Sequence, residues 1–313
     1  LDFEEPIFAL EEKILDLQSS PALALDSEKL TNEISKLNNS IVKLTKKIYS
    51  ELSAWQSVQV ARHPRRPHFN DYVEKICDHF DELHGDRNFA DDRALIGGIA
   101  SIEEQSFMLI GQEKGRSTEE KIKHNFGMPQ PEGYRKAFRL MKLAEKFNLP
   151  VVTLVDTPGA YPGIDSEERG QSEAIANNLE VMSSLSTPII VNIIGEGGSG
   201  GALALGVGDH VTMMQYSTYS VASPEACAAI VWKDANKASE AAEAMQLDAA
   251  SILKLKLIDE ILEEPLGGAH RNPDKAALTL KKSILTNLGA LKKFSNKDLV
   301  ERRFKRLMNF GAL

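Results

Sequence analysis

Apolar residues recur at spacings of three and four through the first sixty positions. Ile7, Leu10, Ile14 and Leu17 mark one helix, and Leu30, Ile34, Leu37, Ile41, Leu44, Ile48 and Leu52 mark a second. Residues 19–27, with Pro21, interrupt the stripe. The pattern predicts an antiparallel helical hairpin over 1–60 with a coiled-coil-like seam, which needs cover from the main domain or a second chain. Lys43, Lys46 and Lys47 fall on the outer faces, as a solvated surface or a partner-docking patch. His63-Pro-Arg-Arg-Pro-His68 reads as an extended linker into a second unit, 61–313. There the pattern predicts a helix over 69–80, strands over 94–101 and 107–112 joined as a hairpin, and an amphipathic helix over 133–147 just after Pro131. Strands follow over 150–155, 188–195, 210–215 and near 219–222. Helices follow over 171–185, from Pro224, and over 237–245, 249–254, 273–291 and 296–308. Strand, turn and helix in repetition predict α/β layers.

Two of the apolar strands end in glycine turns. The first runs into Asp156-Thr157-Pro158-Gly159-Ala160-Tyr161-Pro162-Gly163. The second runs into Gly195-Glu196-Gly197-Gly198-Ser199-Gly200-Gly201 and then into Ala-Leu-Ala-Leu, a good helix start. Such a turn aims unpaired N–H groups at one point, beside the positive end of a helix dipole. Glycine there permits φ > 0 and lets a ligand approach bare backbone. The chemistry favoured is oxyanion stabilisation or phosphate binding. Gly195-x-Gly197-x-x-Gly200 fits a dinucleotide fingerprint, but the next strand ends in Gln215-Tyr216 rather than an acid. No lysine follows the glycines, which excludes a P-loop. Gly197-x-Ser199-x-Gly201 fits a nucleophile elbow, for which Asp209, His210 and His270 are available partners; Ser199 also reads as a small residue in a tight turn.

DTPGAYPG at 156–163, EERGQSEAIA at 167–176 and GEGGSGGALA at 195–204 together resemble the crotonase-fold carboxyltransferase family. Within it the match is to the alpha subunits of bacterial-type acetyl-CoA carboxylase. The resemblance extends from Leu1-Asp2-Phe3-Glu4 to Arg306-Leu307-Met308, through Gly85-Asp86-Arg87, Lys114-Gly115-Arg116 and 264–271. It implies a crotonase-like (ClpP/crotonase) α/β fold of repeated ββα units with C-terminal helices. It implies carboxyl transfer from carboxybiotin to acetyl-CoA, giving malonyl-CoA for fatty acid synthesis. By the same resemblance Gly200 and Gly201 form the oxyanion hole on the biotin side. Gly159, Ala160, Tyr161, Pro162 and Gly163 line the pocket with Gly197, Gly198 and Ser199. The implied partners are a zinc-ribbon beta subunit in an alpha2beta2 tetramer, the biotin carboxyl carrier protein that bears the biotin, and biotin carboxylase. A biotin-dependent acyl-CoA decarboxylase subunit shares this fold and chemistry, and a serine hydrolase using Ser199 is the reading from another class.

Composition narrows the picture. The 313 residues carry a net charge of −8, which argues against a general nucleic-acid binder. Two cysteines 150 residues apart, Cys77 and Cys227, form neither a disulfide framework nor a metal-spaced set, so no metal and no zinc ribbon are expected in this chain. No apolar run approaches the ~18 residues of a membrane span. No signal peptide is expected, and the cytoplasm is the expected compartment; the start without Met suggests missing first residues. Lys114, Arg116, Lys121 and Lys123 cluster in one expected loop, where Lys114 and Arg116 are candidates to hold a carboxylate or a CoA phosphate. Glu196 and Glu173 are a candidate acid–base pair, or helix-start glutamates.

Overall fold

In the computed structural model, which describes residues 1–19 and 27–311, the N-terminal stripes fold as α1 (Glu5–Ser19) and α2 (Ser27–Ser50), packed on each other. The expected break falls mostly outside the described residues. Leu30, Ile34, Leu37, Ile41, Leu44 and Ile48 are all half-buried along the seam. A further helix, α3 (Ala54–Ala61), starts on a Ser53–Gln56 capping box. The segment 63–68 is a turn rather than an extended linker, with Pro64 and Arg65 exposed and His63, Arg66, Pro67 and His68 buried. Arg66 is 1% exposed, pairs with Glu264 at 2.6 Å and donates to the Ile194 carbonyl at 2.8 Å.

The helix expected over 69–80 ends early. α4 (Phe69–Ile76) stops where Cys77 turns extended, and residues 79–82 form the edge strand β1 (His79–Glu82). Phe80 meets Phe69 edge to face, so the apolar spacing that suggested one helix belongs to two elements. β2 (Leu95–Ile102) and β3 (Gln105–Gln112) form the expected hairpin. Its two turn residues, Glu103 and Glu104, both have positive φ, 48° and 66°, as the twist of a tight hairpin requires. The expected lysine loop contains a helix, α5 (Thr118–Lys123), capped by Ser117. α6 (Pro131–Lys146) begins with proline as its first residue, two positions before the expected start.

β4 (Val151–Thr157), α7 (Ile164–Glu168), α8 (Gln171–Ser184), β5 (Ile189–Gly198), α9 (Ser199–Leu203), β6 (His210–Met214) and β7 (Thr218–Ser220) follow. α10 (Pro224–Trp232), α11 (Ala238–Met245), α12 (Ala249–Lys254), β8 (Glu260–Leu262), α13 (Pro273–Leu291) and α14 (Asn296–Met308) complete the order. The sheet runs β1-β2-β3-β4-β5-β6-β8, antiparallel through β3 and parallel beyond it. β5 is long enough to pair twice, with β6 through Ile190–Ile193 and with β7 through Glu196–Gly198.

The strands alternate between two cores, because successive side chains point to opposite faces. Met108, Ile110, Val151, Val155, Val191 and Ile193 pack toward α6 and α8. Phe107, Leu109, Val152, Leu154, Ile190 and Ile194 pack toward α4 and α13. Burial on both faces explains why β4 and β5 read as continuous apolar runs. No helix of the described residues is long and apolar enough to cross a membrane.

Candidate functional site

β4 and β5 are parallel neighbours, so both glycine turns leave the same edge of the sheet, at the strands' C-terminal ends. Thr157 shapes the first turn. Its hydroxyl donates to the Gly159 carbonyl at 2.8 Å and accepts from the Gly159 N–H at 3.1 Å. Beyond it, the Tyr161 N–H donates to the Pro129 carbonyl at 3.0 Å, and the Gln171 amide bridges the Pro129 and Tyr161 carbonyls. Residues 159–163 are thereby tied to the start of α8 and to the entry of α6.

The two turns touch through missing side chains. A Cβ on Gly198 would sit 2.3 Å from the Pro158 carbonyl oxygen, and one on Gly201 would sit 2.6 Å from the Ala160 nitrogen. Gly200 is different, since its nearest neighbour would be Ile175 at 3.6 Å. Positive φ, anticipated among the glycines of this turn, occurs instead at Ser199, at 53°, which is exposed. Gln112, fully buried at the end of β3, joins both turns: it accepts from the Asp156 N–H at 3.0 Å and donates to the Gly201 carbonyl at 3.2 Å.

Beneath the turns lies a chain of charges. Lys114 Nζ contacts Asp156 Oδ1 at 2.6 Å and Glu196 Oε2 at 2.8 Å. Arg62 Nε holds the other oxygen of Glu196 at 2.6 Å, and its two terminal nitrogens grip Glu225 at the start of α10. Burial opposes the charge on Glu196, but Lys114 and Arg62 outweigh it and hold the carboxyl down to about 2. Burial also opposes the Lys114 ammonium, and the two carboxylates hold it above the usual lysine range. A permanently ionised Glu196 is no general acid, and Glu173 stands exposed in the first turn of α8, so the acid–base pair does not form.

Two hollows flank this chain and share Arg62, Pro158 and Glu196 as a common wall. The narrower, a mere crevice, is lined by Gly197, Gly198, Thr218 and Ser220. The wider, of ≈ 270 Å³, is lined by His63, His68, Lys114, Lys121 and Phe126. Of the four basic candidates, Lys114 and Lys121 reach the wider cleft. Arg116 turns to the 63–68 segment, donating to the Pro64 and Arg66 carbonyls and pairing with Asp71. Lys123 is exposed on α5.

The partners available to a nucleophilic Ser199 are engaged elsewhere. Asp209 is held by Arg303 at 2.7 Å, His210 lies 3.3 Å from Glu260, and buried His270 stacks on His63 with centroids 3.7 Å apart. Glu4, His63 and His270 lie close enough to suggest a metal site. The two rings are stacked 17° from parallel, so their in-plane lone pairs do not converge, and Glu4 already accepts from Tyr49 and Arg271. Burial, then His270, pushes the His63 imidazole down to about 4.

Sequence reasoning missed Arg62 and Gln112. Gln112 carried a faint signal, a polar residue closing an apolar strand. Arg62 carried none, because its partners lie 134 and 163 residues away.

The family described as acetyl co-enzyme A carboxylase carboxyltransferase-like matches residues 1–311. Among curated relatives, the acetyl-coenzyme A carboxylase carboxyl transferase subunit alpha of Vibrio cholerae serotype O1 is 56% identical over 315 residues, covering 99% of this chain and 98% of that protein. The subunit of that name from Pseudoalteromonas atlantica is 58% identical over 311 residues, with the same coverage. Among solved structures, the fold is similar to transcarboxylase 12S, with TM-score 0.59 and 18% identity over 74% of this chain and 44% of that one. It is also similar to the beta subunit of P. aeruginosa geranyl-CoA carboxylase, with TM-score 0.57 and 18% identity over 78% of this chain and 46% of that one. The chain thus spans less than half the length of either solved protein, and these neighbours identify the sheet as a crotonase-type carboxyltransferase fold.

Proposed function

The chain belongs to the acetyl-CoA carboxylase carboxyltransferase family, as an alpha subunit, and from that premise we propose that its two glycine turns form the biotin side of a carboxyl-transfer site. The observation that carries this is the contact of Gly198 and Gly201 with the backbone of 158–160. It fixes the first turn of α9, whose leading N–H groups have no intrahelical acceptor. Backbone donors held this rigidly stabilise a developing oxyanion without reorganising, and losing one donor typically costs about 2.7–4 kcal/mol of barrier.

The residues present fit a ureido ring. The backbone at Ser199 and Gly200 is open, and the backbone of Gly159 and Ala160 lies against Gly201 beside it. When bound, the carboxylated biotin supplies the carboxyl group. The N–H groups of Gly200 and Gly201 face the oxygen that becomes negative, Gly197, Gly198 and Ser199 shape the turn, and Gly159, Ala160, Tyr161, Pro162 and Gly163 position the ring. Biotin arrives on a carrier protein rather than attached to this chain. The thioester side comes from a zinc-ribbon beta chain in an alpha2beta2 assembly in the cytoplasm, and biotin carboxylase loads the carboxyl group onto the carrier's biotin. Lys114 and Arg116 act on the architecture of the site, since both side chains are already engaged by protein groups.

The test is reconstitution with a zinc-ribbon chain and an assay for malonyl-CoA from a biotin-linked carboxyl donor and acetyl-CoA. Wild type is expected to turn over and Gly200→Val to lose kcat with the assembly intact on size-exclusion chromatography. Wild-type turnover by both Gly200→Val and Gly201→Val would remove the oxyanion role from this turn.

A further inference from the structure

The β4–β5 ladder breaks at the mouth of the site. It runs in register to Val155↔Ile193 and resumes at Thr157↔Gly197, so Asp156 alone stands opposite Ile194, Gly195 and Glu196. A bulge of this kind leaves backbone unpaired and re-aims the chain that follows. Here side chains take the place of the missing rungs. Asp156 Oδ1 accepts from the Glu196 N–H at 2.9 Å and from Lys114 Nζ at 2.6 Å, while Lys114 also holds the Glu196 carboxylate. The surrounding backbone is cut to admit the cluster. A Cβ on Gly195 would fall 2.3 Å from Asp156 Oδ1, and one on Gly127 would fall 2.6 Å from Lys114 Cγ.

We propose that Lys114 is a positioning residue for carboxyl transfer, clamping the two glycine turns through Asp156 and Glu196 so that their backbone groups meet at one point. This rests on the oxyanion reading of the 197–201 turn. Asp156 immediately precedes Thr157, which shapes the first turn, and Glu196 immediately precedes Gly197, which opens the second. The competing role, a lysine that grips an anionic substrate, fits the charges poorly. The ammonium already faces two carboxylates, and the cluster sets Lys114 and Arg62 against Asp156, Glu196 and Glu225, leaving no excess of positive charge. Without the ammonium, Asp156 and Glu196 lose the cation that bridges them, Glu196 keeping only Arg62, and their like charges separate across the broken ladder. The displacement passes directly into the turns, where a ~1 Å misplacement costs about 10²-fold in rate.

The experiment uses the reconstituted two-subunit enzyme at a temperature where assembly is confirmed by size-exclusion chromatography. Lys114→Met is expected to lower kcat about 10²-fold. KM for acetyl-CoA and for the biotin-linked donor is expected to change by less than about threefold, because no substrate contact is removed. Lys114→Cys, treated with 2-bromoethylamine to rebuild a side-chain ammonium, is expected to recover most of kcat; wild type treated alike controls for Cys77 and Cys227. Wild-type kcat in Lys114→Met overturns the clamp, as does a tenfold rise in KM with kcat kept, about the scale of a lost substrate contact. If Lys114→Met does not assemble, Glu196→Gln carries the test, since it keeps the shape and removes one charge. A lowered kcat with unchanged KM supports the clamp there, and wild-type kcat overturns it. Gly200→Val is run in parallel: if it too turns over like wild type, the oxyanion reading fails, whereas wild-type kcat in the Lys114 and Glu196 variants alone removes only the clamp.

Discussion

Neighbouring glycines in one turn do different work. Gly201 is glycine because backbone lies where its side chain would go, 2.6 Å from the Ala160 nitrogen and the Gly159 carbonyl carbon. Gly201→Ala is therefore expected to lower stability by about 1–3 kcal/mol, the range for overpacking, and to lower kcat with it. Gly200→Ala meets no protein atom closer than 3.6 Å, so its stability is expected within about 0.5 kcal/mol of wild type. A loss of kcat at Gly200 without a loss of stability then reports the ligand rather than the fold. Denaturant unfolding beside steady-state kinetics separates the two. Ser199 carries the left-handed conformation, at φ 53°, which costs a non-glycine residue about 1–2 kcal/mol. Ser199→Gly should leave stability unchanged or raise it. Ser199→Ala should keep much of the activity, because the side chain's role is to be small; a complete loss with the fold intact would return Ser199 to contention as a nucleophile. Gly206 lies beyond the end of α9 at Leu203, and its Cβ would meet Tyr219 Oη at 2.9 Å, so Gly206→Ala is no neutral control.

Among the elements, a neutral control lies in α13. Gly289 is exposed in the last turn of α13 with no atom within 4 Å of a Cβ, so Gly289→Ala is expected to stabilise by up to about 1 kcal/mol and leave turnover alone. α13 and α14 were legible in the sequence to the residue. Their amphipathic runs are long, and Asn272 and Ser295 cap them through their side chains. β1 and β8 were not legible, because four and three residues hold too few periods to distinguish strand from helix end. α5 was hidden by its charges, and only its capping box Ser117–Glu120 marked it. The glycine turns were visible as motifs, since a local chain must spell out its own tight conformation. The clamp beneath them was not, because an ion pair between Lys114 and Glu196 spans 82 residues and leaves no periodic trace. Only the fold brings β3, β4 and β5 side by side and places Lys114, Asp156 and Glu196 within reach of one another.

At the scale of the whole molecule, the acid limb of stability follows from several carboxylates at once. Burial opposes the charges of Glu4, Glu113 and Glu196, yet hydrogen bonds and cations hold each down to about 2. A carboxyl whose folded value lies below its ordinary 4.5 contributes stability that is full above 4.5 and is lost as pH falls toward 2. Denaturant unfolding at pH 5.5, 4.5 and 3.5, a span of about two pH steps across that ordinary value, should show stability falling with pH, and Glu196→Gln should show a shallower fall. The last expectation concerns the chain by itself. Carboxyl transfer leaves negative charge on two oxygens, one on each reactant, and each needs its own set of fixed donors. In the proposed site, the contact of Gly198 and Gly201 with 158–160 holds one such set, at the C-terminal ends of β4 and β5. The second set belongs, in the proposed assembly, to the beta chain. The purified chain is therefore expected to form no malonyl-CoA from a carboxylated biotin donor and acetyl-CoA, and to gain activity on titration with the zinc-ribbon subunit, saturating at one beta per alpha. Robust malonyl-CoA formation by the chain alone would mean that both sets of donors lie within it, and the division of the site between two subunits would be wrong.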